Sequence, residues 1–296
     1  YPDCRRASSL QETALCFLRE VIARSAKMVA DWQTVGFCHG VMNTDNMSVI
    51  GLTIDYGPYG WIDNYDPNWT PNTTDMPGRR YRFGNQPVVA QWNLLQLANA
   101  LYPLINDEDG LRRVIDEYGL RFKTKYQQMM LSKLGIFTYQ DTDETLVKQT
   151  EKVFQLCNID YTIGFRSLAA ITIDMSLPEM IAILNPALYD EDLDPDKEDM
   201  LEAWLTSYQE RLRLENMPHG GRVNRMNQVN PKYVLRNYMA QMAIEAADNG
   251  DYSLIYEFYH LLKQPYAEQP EYQHWYAKRP EWALEKVGCS MLSCSS

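Results

Sequence analysis

The stretch His39-Gly40-Val41-Met42-Asn43-Thr44-Asp45-Asn46, with Asp55-Tyr56-Gly57 beginning nine residues past Asn46, decides how the rest of the chain is read. Residues 47–50 and 52–54 are short runs of apolar and β-branched side chains broken by Gly51, a hairpin signal that would bring Asn46 and Asp55 to one end. Two hard oxygen ligands then converge. A divalent ion such as Mg²⁺ or Mn²⁺ on nucleotide phosphates needs this little from a protein, because phosphate and water fill its other positions.

The 296 residues suffice for one large domain or two smaller ones, each with its own core. A formal net charge of −11 argues against a general binder of nucleic acid or of anionic membranes, since either would gain from a basic face. No run is long and apolar enough to span a bilayer. Six cysteines (Cys4, Cys16, Cys38, Cys157, Cys289 and Cys294) form no CxxC pair and no regular framework, which fits a reducing compartment. Only Cys289 and Cys294, close together near the C-terminus, invite a redox reading. The chain opens on Tyr1 rather than Met and enters a helical pattern almost at once, so it is expected to lack an N-terminal part.

Helices are expected over most of the chain. Ser9 with Glu12 gives a capping-box pattern for a helix over 9–32, whose inner face carries Ala14, Leu18, Val21, Ser25, Val29 and Trp32. Residues 58–87 are irregular but rich in aromatics, the composition of an ordered loop that packs. Further helices are expected over 88–102, over 108–134 with a break near Gly110 or Gly119, and over 142–157 with Leu146, Val153, Phe154 and Leu156 inside. Others follow over 199–215, over 231–247 with Asn230 as N-cap, and over 253–262. His219-Gly220-Gly221 reads as a break, and residues 265–296 as a loop-like tail.

In the order of its parts the opening stretch is similar to a protein kinase, whose HRDLxxxN loop precedes a metal-binding Asp. His39 and Asn46 keep the seven-residue spacing, but Val41 stands where the catalytic Asp would be. Valine cannot accept a proton. Asp45 is the nearby carboxylate that could replace it.

The run VGFCHGVMNTDNMSVIGLTIDYGPYG over 35–60 closely resembles the selenoprotein O family of kinase-like protein adenylyltransferases. So do Gly78-Arg79-Arg80-Tyr81, Asn85-Gln86-Pro87 with Trp92-Asn93-Leu94, the run NPKYVLRNYMAQMAIEAADNGDY over 230–252, and the terminal Ser293-Cys294-Ser295-Ser296. The resemblance implies a kinase-like C-lobe over 1–135, a helical extension over 136–264 and a cysteine-bearing tail over 265–296. It implies transfer of AMP from ATP to Ser, Thr or Tyr hydroxyls of proteins, with release of pyrophosphate. By the same resemblance Asp45 accepts the proton of the acceptor hydroxyl, Asn46 and Asp55 hold Mg²⁺ or Mn²⁺, and Asp55 also lies against ATP. ATP and protein substrates are then the partners, with no nucleic acid or membrane, and the setting would be cytoplasmic in a bacterium or mitochondrial in a eukaryote. The family's N-lobe, with its Lys, paired Glu and phosphate-covering loop, has no counterpart here, so this chain alone is expected to be inactive. Some members pair an activation-segment cysteine with the tail cysteine; Pro71 stands at the aligned position, leaving Cys289 with Cys294 as a weaker redox pair.

Plainer roles compete for several of these residues. His39 is expected to brace the loop, Asn43 and Thr44 to shape the turn, and Arg79 and Arg80 to serve either an anionic group or ordinary ion pairs. The aromatics over 59–83 suit packing as well as a substrate platform. Two other functional classes stay open: a small-molecule phosphotransferase, which would keep an Asp at position 41, and a non-catalytic pseudokinase scaffold with a redox-active tail.

Overall fold

The computed structural model describes residues 1–190, 192–286 and 288–289, and these are mainly helical. The chain divides into two compact units. Of the described residues, the first takes Tyr1–Tyr59 and Pro67–Tyr126; the second takes Gly60–Asp66 and those from Gln127 to Cys289.

In the first unit α1 (Leu10–Val35) begins at Ser9, whose side chain accepts the Glu12 N–H at 3.2 Å. The Glu12 carboxylate reaches back to Ser8 rather than to Ser9, accepting its N–H at 2.9 Å and its hydroxyl at 2.6 Å. Gly36, with φ of 76°, closes the helix in the left-handed region. All six expected inward residues of α1 are buried. They pack against α2 (Gln86–Ile105), which offers Val89, Ala90, Leu94 and Ala98. The small side chains on both helices let the backbones approach. The next helix, α3 (Glu108–Lys133), runs through Gly110 and Gly119 without the expected break. The Asp107 carboxylate accepts the Gly110 N–H at 2.9 Å, which supports the first turn where Gly is weakest.

The hairpin expected over 47–54 is reduced to one antiparallel bridge, Met47 to Thr53. Side chains satisfy the segment in place of a ladder: Ser48 Oγ accepts the Ile50 N–H at 3.2 Å, and Trp32 Nε1 donates to Thr53 Oγ1 at 2.9 Å. Val49, Ile50 and Leu52 remain exposed.

In the second unit α4 (Asp143–Leu156), α5 (Tyr161–Ser167), α6 (Leu177–Leu184) and α7 (Pro195–Leu212) enclose a core of Phe154, Tyr161, Phe165, Leu184, Trp204, Leu205 and Tyr208. Leu156, expected inside, is exposed. The apparent break at His219 is instead the first turn of α8 (His219–Asn227). A helix does not start at Asn230, because the N–H groups of Lys232 and Tyr233 both donate to Pro265 O. That pairing keeps 231–236 out of a helix and delays α9 to Asn237–Asp248, ahead of α10 (Ser253–Leu262). The expected polar tail also packs: Trp275, Tyr276, Ala283 and Cys289 belong to the apolar cluster built on Tyr233, Met239, Phe258 and Leu261.

Buried charge organises this unit. Arg236 is closed by Asp63 at 2.6 Å and Asp160 at 2.9 Å, and Arg211 by Asp143 at 2.6 Å and Glu215 at 3.0 Å. Asp160 also caps α5 through the Ile163 N–H. Lys133 is buried with its ammonium 4.2 Å from the Phe165 ring centroid and 4.9 Å from that of Tyr161. Burial pushes its pKa down to about 7, because the low-dielectric interior penalises the charged form more than the two rings repay. Between about pH 7 and 10 the unfolded chain therefore holds a proton that the folded chain has lost. Stability must rise with pH across that window, by at most about 1.4 kcal/mol per pH unit for one group. Urea denaturation followed from pH 6.5 to 9 should show this rise in the natural chain and a weaker one in Lys133→Met; equal slopes would exclude the assignment.

Candidate active site

The loop from His39 to Gly57 hangs on buried side chains of the first unit. Gln86, fully buried at the first turn of α2, accepts the His39 N–H at 2.9 Å and donates to Phe37 O at 2.9 Å. Its amide thus spans the two backbone groups flanking Cys38, as a neighbouring strand would. Two turns further along, Asn93 donates to Met42 O at 2.9 Å, and from the loop after the motif Asn72 donates to Gly40 O at 3.1 Å. Gly40 has φ of 77°, and a Cβ there would lie 2.2 Å from Pro58 O. The glycine is required by the close crossing of two backbones.

His39 is enclosed by Trp32 and Phe37, with ring centroids 5.5 and 6.4 Å away, and its Nε2 donates to Ile54 O at 2.7 Å. Burial lowers its pKa, so the neutral ring is favoured. It joins the start of the motif to the residue before Asp55, the bracing role expected of it.

Asp55 occupies the left-handed region with φ of 55°. A non-glycine residue is uncommon there, although Asp tolerates it better than most, and such strain concentrates at functional sites. The Asn46 amide nitrogen donates to Asp55 Oδ2 at 3.3 Å, so these two side chains meet. Asn46 Oδ1 is buried and has no hydrogen-bond partner, an acceptor oxygen left over at a site that already holds a carboxylate. That donor set suits a hard divalent cation that takes its remaining ligands from phosphate and water. Among the described residues no cluster of three or more His, Cys, Asp or Glu side chains forms a self-sufficient metal cage. Asp45 is exposed in the single turn of 3₁₀ helix at Thr44–Asn46, next to Asn46.

The remaining candidates are arranged as follows. Tyr81 OH donates to Asn43 Oδ1 at 2.6 Å, and the Asp75 carboxylate accepts the N–H groups of Arg80 and Tyr81, so the Gly78-Arg79-Arg80-Tyr81 segment is tied to the motif. The Arg80 guanidinium lies 4.7 Å over the Trp92 ring, and Arg79 has φ of 46°. Of the aromatics over 59–83, Tyr59 packs on Phe37 and Tyr56, Phe83 is buried, and Tyr65 stacks on Tyr161. They serve packing. Cys289 is buried and its thiol pKa is raised by burial, which makes it a poor nucleophile; Cys294 lies outside the described residues. The cysteines depart from the expected reducing-compartment pattern, because Cys4 and Cys16 are joined in a disulfide with a Cα separation of 5.5 Å. The turn at Pro2–Arg6 folds back on α1, a proximity that their twelve-residue spacing does not signal. Among the described residues no helix is long and apolar enough to cross a membrane.

The Asn46–Asp55 pair stands on a loop braced by a helical scaffold, and the chain that carries it belongs to the family described as protein adenylyltransferase SelO, whose model matches residues 1–263. It is 54% identical over 287 residues to the protein nucleotidyltransferase YdiU of Flavobacterium johnsoniae, covering 97% of this chain and 55% of that protein. It is 50% identical over 277 residues to the protein of the same name from Aromatoleum aromaticum, covering 94% of this chain and 52% of the relative. The chain thus spans about half the length of the curated relatives it matches.

Sequence reasoning singled out Asp45, Asn46 and Asp55 but gave Gln86 and Asn93 no task. Their signal was a pair of amide side chains, seven residues apart, on the otherwise apolar inner face of α2. Replacing Gln86 by Leu leaves the buried His39 N–H without its acceptor and takes one donor from the Phe37 C=O, at about 1–3 kcal/mol for the unpaired N–H. Chemical denaturation of Gln86→Leu should show a loss of about 1–3 kcal/mol, and of an exposed control such as Asn99→Leu close to none.

Proposed function

We propose that the intact protein containing this chain is a metal-dependent protein adenylyltransferase, in which the first unit supplies the C-lobe of a kinase-like fold. The single observation that carries the reading is the unpartnered Asn46 Oδ1 beside the Asp55 carboxylate, on a loop in which Asp55 is held at positive φ. Asn46 and Asp55 would hold Mg²⁺ or Mn²⁺, and the ion would supply positive charge against the phosphates of ATP. Asp45 accepts the proton of a Ser, Thr or Tyr hydroxyl as its oxygen attacks the α-phosphorus. The bond from that phosphorus to the bridging oxygen breaks, the electron pair leaves with pyrophosphate, and AMP remains on the protein. Val41 has no proton-accepting group, which moves that task to Asp45. His39, Gln86 and Asn93 keep the loop in place, so the reacting groups need no rearrangement in the transition state.

The intact protein, incubated with ATP labelled at the α- or the γ-phosphate and a protein acceptor, should transfer the α-label alone. Asp45→Asn should slow this by about 10²–10⁴-fold, and Asp55→Ala should abolish it. Transfer confined to the γ-label would overturn the reading.

A further inference from the structure

Buried cations in the second unit are balanced in two different ways. Arg236 and Arg211 each meet two carboxylates, and of these Asp160, Asp143 and Glu215 are almost wholly buried. The Arg211 cluster carries more negative charge than positive, and around Arg236 the second Asp63 oxygen meets Arg279 at 3.1 Å, so that cluster is balanced. At the C-terminal end of α5 the proportion is reversed. Arg166 and Lys232, with side chains 7% and 8% exposed, share the single carboxylate of Glu268, which is itself 63% exposed. Arg166 Nη2 donates to Glu268 Oε1 at 2.7 Å, while its Nη1 is spent on Asn227 O and Asn230 O. Lys232 Nζ donates to Glu268 Oε2 and, at 2.6 Å, to Gln273 Oε1.

These three side chains line an open cavity of about 380 Å³ together with Asn227, His219 and Tyr276. Glu268 is the one carboxylate among its lining residues, so two buried positive charges face one negative charge. A deficit of this kind is costly in a low-dielectric setting unless an anion makes it up. The cavity also offers neutral recognition. His219 Nδ1 stands 3.2 Å from Arg222 Nη2; Arg222 can only donate, so the imidazole proton is placed on Nε2. Asn227 Oδ1 is buried without a partner, an acceptor for a hydroxyl on a bound group.

We propose that this cavity is a binding site for a small oxyanion, the phosphate or carboxylate group of a small molecule, which pairs with Arg166 and Lys232 where Glu268 now sits. Glu268 is a removable stand-in for that ligand. The site lies wholly within the second unit and is independent of the reading given for Asn46 and Asp55.

The test is thermal unfolding of the chain in inorganic phosphate, acetate or chloride at matched ionic strength. Phosphate or acetate should raise the transition temperature above that in chloride, and which of them does so names the group that the site prefers. In Glu268→Gln, where the competing charge is gone but the amide keeps its size, the concentration for half the effect should fall about tenfold. In Lys232→Met the oxyanion-specific shift should vanish, with folding checked by circular dichroism. The proposal is overturned if neither oxyanion differs from chloride in both the natural chain and Glu268→Gln, or if the shift persists in Lys232→Met. Should Lys232→Met not fold, the Glu268→Gln comparison decides alone, and an unchanged half-effect concentration there overturns the proposal.

Discussion

The side-chain amide of Gln86 is the interaction on which the first unit depends. It accepts from one side of residue 38 and donates to the other, so a helix and an irregular loop are joined by the kind of bonding that normally joins strands. The packing of α1 against α2 places this amide; the amide then fixes the backbone that begins the motif. Asn93 and Asn72 repeat the device at Met42 and Gly40. A loop held this way has its buried backbone groups satisfied by side chains.

The second unit solves a different problem. Its helices are short and its connections long, and buried ion pairs tie distant parts of the chain together. Arg236 joins segments around 63, 160 and 236, and Arg211 joins 138, 143 and 215. Such pairs add little net stability compared with apolar packing, but breaking one partner is expensive. They therefore act as checks on correct assembly. Against that background, the two cations that share the exposed Glu268 stand out as a cluster with more positive charge than negative.

Much of the candidate site could be read from residue order. The spacing from His39 to Asn46 and on to Asp55 singled out the three residues, and Val41 in place of Asp directed attention to Asp45. The start and inner face of helix α1 were equally legible, since Ser9 and the apolar stripe are local signals, whereas its end falls at Val35, three residues past the expected Trp32. Where the reading departed from the structure, a distant partner had intervened. Pro265 holds Lys232 and Tyr233 out of a helix, and the cluster around Tyr233 and Phe258 draws a polar-looking tail into a core. The hairpin over 47–54 brings Asn46 to Asp55 as expected but is reduced to one antiparallel bridge, with Trp32 and Ser48 side chains in place of further ladder bonds.

The sequence by itself determined the mainly helical class and the start of the first helix, and it singled out Asp45, Asn46 and Asp55 as candidates and the meeting of the last two. Each of these rests on residues within a few positions of one another, where propensity, capping and spacing act directly. Only the tertiary structure decided that Asn46 keeps one oxygen to spare beside Asp55, that Gln86 and Asn93 hold the loop from α2, and that Arg166 and Lys232 are buried beneath one exposed carboxylate. These facts follow from burial and long-range hydrogen bonding. Both depend on which distant segments exclude water together, and residue order does not state that.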